Sequence, residues 1–538
     1  MKIMKKLNLI YLFAGLLFLV SSCEDDLNTV PLDDDASTAE DFFSQDNAYK
    51  SLLAGVYGNL SLTSAGGAFG SNIGGLDPGT SQYGRALMNL QTFTTDEAIW
   101  SYENDPGIAE LQRTTWTPAN VIIRGAFGRI MGSVAFANEF LRQSTEAKLN
   151  SRDISGEELQ EMPTFRAEAR LLRALSYYHM LDLFGKAHFI TEEDPVGVFR
   201  NEEIVGVDLF NYIESELLEI IPDLKDARTN EYARADKAVA WMILAKLYLN
   251  AEVYIGEDRY ADALEYSQNI IDAGYSLTPN YQDVFRGDND VNGAQNEVIF
   301  PVPADGEFSQ SFGPTTVMTN GAVGSIEQNG ANLGVTEGGW GGAIRLSPQF
   351  VSLFQGAEFT NDARNGIISE DRPINITDVS NRDQGYILEK FTDLNTSDDP
   401  VDDNLTFSSV DFPMFRLADV YLMYAEAHLR GGGGSLTQAT EYINLIRTRA
   451  HNGSTTWNIS ESDLTLDFII DERARELYWE SHRRQDLRRF GLFTGASYVW
   501  TLKGNSLSGI PIADYRGLFP IPSESLSANP NLTQNPGY

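Results

Sequence analysis

Apolar residues recur along this chain at offsets of three, one and three, with mostly polar residues between the sets. Leu171, Ala174, Leu175 and Tyr178 carry the pattern, Trp241, Leu244, Ala245 and Tyr248 repeat it, and Tyr421, Tyr424, Ala425 and His428 carry it again. Such a set keeps one face of a helix apolar, so it predicts amphipathic helices over 163–185, closed by Gly185, and over 236–254. A helix over 260–274 follows a short loop and makes an αα-hairpin with 236–254, and another is expected at 437–450.

The small residue inside each set lets a neighbouring helix approach closely while the bulky ones interlock, which is tetratricopeptide-like spacing. One hairpin of this kind cannot bury its own apolar face, so stacked hairpins are expected to form the scaffold. The expected fold class is mainly α with minor β. Four glycines at 431–434 precede the 437–450 helix. Without a preceding strand or a following Lys-Ser/Thr they read as a flexible connector and not as a phosphate loop. Between the helical blocks, 60–82 and 306–342 are rich in Gly, Ser, Thr and Asn with scattered aromatics. Long loops inside an ordered domain are expected to be binding surfaces, with decorative insertion as the alternative.

At the N-terminus, Lys2, Lys5 and Lys6 precede an almost uncharged run over 7–20, the layout of an export signal. The run is about 14 residues, short of the roughly 20 that span a bilayer as a helix. Val20-Ser21-Ser22-Cys23 then gives a small-residue cleavage site ending in the only cysteine of the chain. This is the pattern of bacterial lipoprotein processing, in which the thiol is acylated and becomes the new N-terminus; a free cysteine near a signal is the alternative. A lone cysteine forms no disulfide within the chain. The expected division is a signal peptide at 1–22, a lipid-anchored tether at 23–38 that opens on Glu24, Asp25 and Asp26, and a single domain at 39–538. Acyl chains buried in lipid hold the mature protein on a membrane. Loss of the three leader lysines takes the formal charge from −36 to −39. Such a surface repels phosphate backbones, so no nucleic-acid partner is expected.

Aromatic residues make up 11% of the chain, which matters because sugars offer apolar C–H faces and a rim of hydroxyls. A sugar site needs flat rings for the faces and fixed polar groups for the rim. Trp100, Tyr102, Asn104 and Asp105 lie within six residues beside Pro106-Gly107, where a turn would present them together. Trp340, flanked by glycine pairs and without apolar periodicity, reads as a presented ring. Trp100, behind Ala98 and Ile99, reads more readily as core, and core is the default for Trp116, Trp241, Trp457, Trp479 and Trp500. Asp288, Asp290 and Asn292, followed by Gly293, repeat the start of a calcium loop, with Gln295 as a further oxygen ligand. The twelfth position is Ile299, which excludes a complete EF-hand and leaves a polar turn without metal as the alternative to structural calcium. Arg473, Arg475, Arg483, Arg484, Arg488 and Arg489 suggest a polyanion patch. The four-residue spacing of Asp471 to Arg475 and of Glu480 to Arg484 favours ion pairing along a helix. The histidines form no HExxH and there is no GxSxG, so common hydrolase signatures are absent, although a glycosidase needs only two suitably placed carboxylates. No organic cofactor is expected.

Five segments carry a resemblance to a known family. They are RAEARLLRALSYYHMLDLFGKA from Arg166, RADKAVAWMILAKLYLNAEVY from Arg234, FPMFRLADVYLMYAEA from Phe412, DERARELYWESHRRQDLRRFG from Asp471 and the terminal FPIPSESLSANPNLTQNPGY. In this order they resemble the SusD/RagB family of outer-membrane glycan-binding lipoproteins over essentially the whole length. YGRALMNLQTFTTDEAIW from Tyr83, the Asp288 region and SYVWTLKGNSLSG are most similar to its starch-binding members. The resemblance implies a tetratricopeptide-like scaffold with irregular binding loops, a place on the cell surface, and docking as a lid on a SusC-type TonB-dependent transporter barrel. It implies binding without catalysis. The aromatic arc of the starch-binding members corresponds here to Tyr102, Trp340 and Phe312, and Arg85 with Asn104 or Asp105 would supply the polar rim. The chain departs from them at Tyr102, where they carry tryptophan, at Phe312, where they carry tyrosine, and at Asp105, where they carry asparagine. Structural calcium in glycan-binding relatives keeps the Asp288 loop a candidate. The expected ligand is an α-glucan, starch or maltooligosaccharide. The alternatives are another glycan such as laminarin, a peptide, or a surface glycosidase.

Overall fold

Each three-one-three set lies on a helix in the computed structural model, which describes residues 38–197, 201–335, 338–402 and 406–538. The export signal, Cys23 and all of the expected tether except Thr38 lie outside the described residues. The principal helices are α1 (Ala48–Ser61), α2 (Tyr83–Gln91), α3 (Val121–Gln143), α4 (Gly156–Phe184), α5 (Gly206–Ile220) and α6 (Lys237–Leu249). They continue with α7 (Tyr260–Asp272), α8 (Pro314–Ala322), α9 (Leu417–Leu429), α10 (Leu436–Ala450), α11 (Leu466–Leu477) and α12 (Arg483–Arg489). Contacts run from α3 to α4, α4 to α5, α6 to α7, α7 to α9 and α9 to α10, as stacked hairpins require. The small members Ala174, Ala245 and Ala425 are fully buried, and Leu171, Leu175 and Leu244 beside them are equally enclosed. Two members are only half-buried: Trp241, and His428, whose Nδ1 lies 2.6 Å from the Gly433 carbonyl.

Two helices differ from expectation. The first, α4, begins ahead of residue 163 and runs through Pro163 to a left-handed cap at Gly185 (φ 69°). Proline there removes the bond to the carbonyl of Leu159, which lies on an exposed turn where solvent can replace it. The predicted 236–254 helix is divided: α6 ends at Leu249, Asn250 leaves helical geometry while its Nδ2 donates to the Lys246 carbonyl (2.8 Å), and a short helix follows at Ala251–Ile255. The 431–434 glycines connect α9 to α10, as expected. A side chain on Gly432 would run into the Tyr260 carbonyl at 2.4 Å, so this close passage requires glycine.

Strands are few and short. The longest are β2 (Val298–Val302) and β4 (Phe412–Arg416), antiparallel, with Val298 opposite Arg416 and Val302 opposite Phe412. Two shorter ones, β1 (Ile99–Trp100) and β3 (Ile344–Arg345), pair antiparallel as Ile99 with Arg345 and Trp100 with Ile344. Among the described residues no helix is long and apolar enough to cross a membrane.

The arginine-rich segment is not a surface patch, and its partners are not those expected four residues away. Arg473 pairs with Asp419 and Asp486 (both 2.8 Å), Arg483 with Asp96 (2.7 Å), Arg484 and Arg488 with Asp182 (3.4 and 3.2 Å), and Arg489 with Glu426 (2.6 Å). Arg475 pairs with Glu472 at 2.9 Å. Beside them Arg416 binds Glu297, Glu476 and Glu480, while Lys390 takes Glu480 at 2.7 Å. A buried charge without a partner would be severely destabilising, so these pairings fix how the helices meet. Burial pushes the Glu476 carboxyl up, but Arg449, Arg416 and Arg364 outweigh it and hold it down to about 2. Of the tryptophans assigned to the core, Trp116, Trp479 and Trp500 are there; Trp241 is half-buried and Trp457 is exposed, its carbonyl accepting from Arg447 Nε (2.7 Å).

Candidate functional site

The β1–β3 pair brings two distant loops to one place. Ser101 N donates to the Ala343 carbonyl (2.8 Å), extending the ladder, so Tyr102 leaves one strand where Trp340 approaches the other. The Tyr102 hydroxyl donates to the Trp340 carbonyl (3.0 Å), and Arg382 Nη1 donates to that hydroxyl (2.7 Å) and to the same carbonyl (3.3 Å). The Trp340 N–H donates to the Asn320 carbonyl of α8 (2.9 Å). Gly339, Gly341 and Gly342 all have positive φ, which only glycine adopts freely, and a side chain on Gly341 would meet Arg382 at 2.6 Å. The glycine pairs around Trp340 are therefore needed to close this loop over Arg382.

Trp100 lies behind both rings. It is 4% exposed, its ring centroid is 6.0 Å from that of Tyr102 and 5.9 Å from that of Trp340, and both contacts are edge-to-face. Its Nε1 donates to Asp105 Oδ2 (2.9 Å), and Asp105 N closes the turn on the Tyr102 carbonyl (3.0 Å). Trp100 is thus a support for the two rings and not a presented platform. One oxygen of Asp105 serves it, which gives a carboxylate at this position a positional role.

The opposite wall is made by Phe312, half-buried, with Phe69 and Phe407. The Phe312 centroid lies 5.7 Å from Phe69 and 4.9 Å from Phe407. Phe69 is 74% exposed, while Phe407 is buried beneath. Phe312 N donates to Thr63 Oγ1 (3.0 Å), and a Cβ on Gly79 would meet Phe312 at 3.0 Å, so loop 60–82 lies tightly against this ring.

Between the two walls is an open cavity of about 560 Å³ lined by Tyr102, Trp340, Phe312, Phe69, Arg85 and Asp105, among others. Arg85, on α2, sits with its guanidinium 5.7 Å from the Trp100 centroid, and its buried Nε has no hydrogen-bond partner among the described residues. Burial pulls Arg85 down to about 10, against the pull of Asp77 and Asp105, so it remains a cation at neutral pH. Flat rings on two sides and a cation with spare donors between them form a surface for a neutral polyhydroxylated ligand.

Of the residues expected at the site, Arg85, Tyr102, Asp105, Phe312 and Trp340 converge on this cavity, with Trp100 in its wall. Asn104 is exposed and does not line it. Phe69 and Arg382 were not expected. Phe69 has the glycine-flanked context that singled out Trp340, so the same signal would have found it, whereas nothing local marks Arg382. Loop 306–342 is not wholly irregular, since α8 lies inside it and anchors Trp340.

In the Asp288 loop the side-chain oxygens of Asp288, Asn292 and Gln295 are engaged. Asp288 Oδ1 accepts from Asn292 Nδ2 (3.0 Å), and Asp288 Oδ2 from Thr396 N and Oγ1 (2.9 and 3.0 Å). Asn292 Oδ1 accepts from Ala294 N (2.9 Å) and Gln295 Oε1 from Gly293 N (2.8 Å). Arranged in this way, Asp288, Asn292 and Gln295 brace a turn, and Asp290 is exposed beside them.

A helical-repeat scaffold carrying a ring-lined cavity on irregular loops matches a known class of proteins. The family described as the SusD family matches residues 357–538. Starch-binding protein SusD of Bacteroides thetaiotaomicron is 33% identical over 96% of each chain, and a SusD-like protein of Formosa agariphila is 26% identical over 99% of this chain and 100% of that one. The chain belongs to the SusD family. Among solved structures, a SusD homolog from Bacteroides thetaiotaomicron superposes with a TM-score of 0.71 at 19% identity, covering 93% of this chain and 99% of that one. Surface glycan-binding protein A from the same organism, in complex with laminarihexaose, gives 0.65 at 21% identity, covering 91% and 99%.

Proposed function

We propose that this protein is a cell-surface lipoprotein, anchored through acylated Cys23 to the outer membrane, that captures starch-type α-glucan and passes it to a SusC-type TonB-dependent transporter barrel. The observation that carries the reading is the cavity with Tyr102 and Trp340 on one wall and Phe312 and Phe69 on the other. Its support from outside the chain is the similarity to a protein named for starch binding. A bent glucan lays its C–H faces on the rings, and its hydroxyls exchange water for the Arg85 guanidinium and the Asp105 carboxylate. Phe312 offers no hydroxyl, so the rim depends on these charged groups. No bond is broken in this reading: the protein binds and does not hydrolyse.

Calorimetry with maltoheptaose and α-cyclodextrin tests it. Saturable heat with both is expected, and its absence would defeat the α-glucan assignment. A second reading, a β-glucan binder, is favoured by the laminarihexaose complex of a structural neighbour. Retardation by laminarin and not by starch in affinity electrophoresis would select it. Steady release of reducing ends from amylose or laminarin would establish a glycosidase instead.

A further inference from the structure

A second cavity, of about 390 Å³, lies against the first. Asp77, Arg85, Trp100 and Asp105 line both, and Asp77 and Asp105 are exposed, so the two openings are neighbours. The inner wall sets Asn89 of α2 beside apolar Phe93, Ile108 and Val121. Asn89 is 2% exposed, and its Oδ1 has no hydrogen-bond partner among the described residues; Arg85 Nε, on the shared wall, also has none. A buried amide oxygen left unpaired is destabilising unless something else supplies a donor.

We propose that this inner chamber is a subsite for a single sugar ring, carried by the glycan as a branch or presented at its chain end. The inference rests on the glycan reading above. An amide that both donates and accepts, a guanidinium and two carboxylates around apolar walls match a ring with hydroxyls at its edge and C–H groups on its faces. One cation against two acids disfavours an anionic ligand. The volume is at the small end for ligand sites and suits one ring rather than a turn of polysaccharide.

Calorimetry on the mature chain with three probes tests this. α-Cyclodextrin has neither ends nor branches, 6-O-α-glucosyl-α-cyclodextrin adds one branch, and maltoheptaose has ends. The branched ring, maltoheptaose or both should lose about tenfold in affinity in Asn89→Leu, which removes the amide, and in Val121→Phe, which fills the chamber, while α-cyclodextrin changes by less than about twofold. Loss for the branched ring identifies branches as the occupant, and loss for maltoheptaose identifies chain ends. If all three probes keep their affinity in both variants, or the branched ring has an advantage that neither variant removes, the subsite is overturned and the glycan reading stands. If no probe binds the unaltered protein, both fall. Should the variants fail to fold, the unaltered protein decides: about fivefold tighter binding of the branched ring or of maltoheptaose than of α-cyclodextrin supports the subsite, and equal binding of all three overturns it.

Discussion

The Tyr102 hydroxyl donates to the Trp340 carbonyl at 3.0 Å across 238 residues of chain, and Arg382 donates to both oxygens. This clamp fixes two rings that the β1–β3 ladder has only brought near each other. Its members can be separated by substitution.

Trp340→Ala removes a half-buried ring from one wall of the cavity. Affinity for maltoheptaose is expected to fall by at least about tenfold, measured by calorimetry, because the stacking surface and the edge contact on Trp100 are lost together. The melting temperature should change little, since the loop is held through its main chain.

Tyr102→Phe keeps the ring and removes two hydrogen bonds, the one donated to the Trp340 carbonyl and the one accepted from Arg382, each worth about 0.5–1.5 kcal/mol, so affinity should fall by at least about fivefold. Arg382→Gln should act through the same hydroxyl. In a double-mutant cycle the two losses are expected to be less than additive, and strict additivity would show that Arg382 does not work through Tyr102.

Glu476→Gln leaves Arg416, Arg449 and Lys390 to share Glu297 and Glu480 in the core, one carboxylate short of balance. Chemical denaturation should show a loss of about 3–5 kcal/mol, while glycan affinity of the folded protein stays unchanged.

Asp393 gives a pH-dependent prediction. Burial pushes its carboxyl up to about 7; hydrogen bonds from Ser408 and Ser409 oppose this and nearby Asp402 adds to it. In the unfolded chain the group titrates near about 4, so the folded protein holds a proton that the unfolded one has released. The stability from this group is full below about pH 4 and is lost as pH rises through about 7. Asp393→Asn is expected to shift in melting temperature relative to the unaltered protein, progressively in the variant's favour, between pH 4 and pH 8. A constant difference across that range would refute it.

The helices were legible because apolar offsets report directly on which face is buried, as Ala174, Ala245 and Ala425 confirm. The turn 102–105 was legible because its residues are neighbours in sequence. Arg382 was not, since its role depends on β1 meeting β3 and the chain offers no local mark of that pairing. The ion pairs show the same limit. Arg473 and Arg484 find Asp419 and Asp182 through helix packing, and the spacing rule that pointed Arg484 to a residue four away applies to an exposed helix, not to one enclosed on several sides. Pro163 misled for a related reason: a proline marks a boundary only where the missing bond cannot be replaced by solvent.

The clamp on the Trp340 loop grips a peptide carbonyl and leaves the indole untouched. Whatever residue stands at 340, Tyr102 and Arg382 would find the same oxygen, so the surface that reads the ligand can be exchanged without loosening the frame that presents it. Changes of diet in such a binder would then need few substitutions, and the interior would not register them.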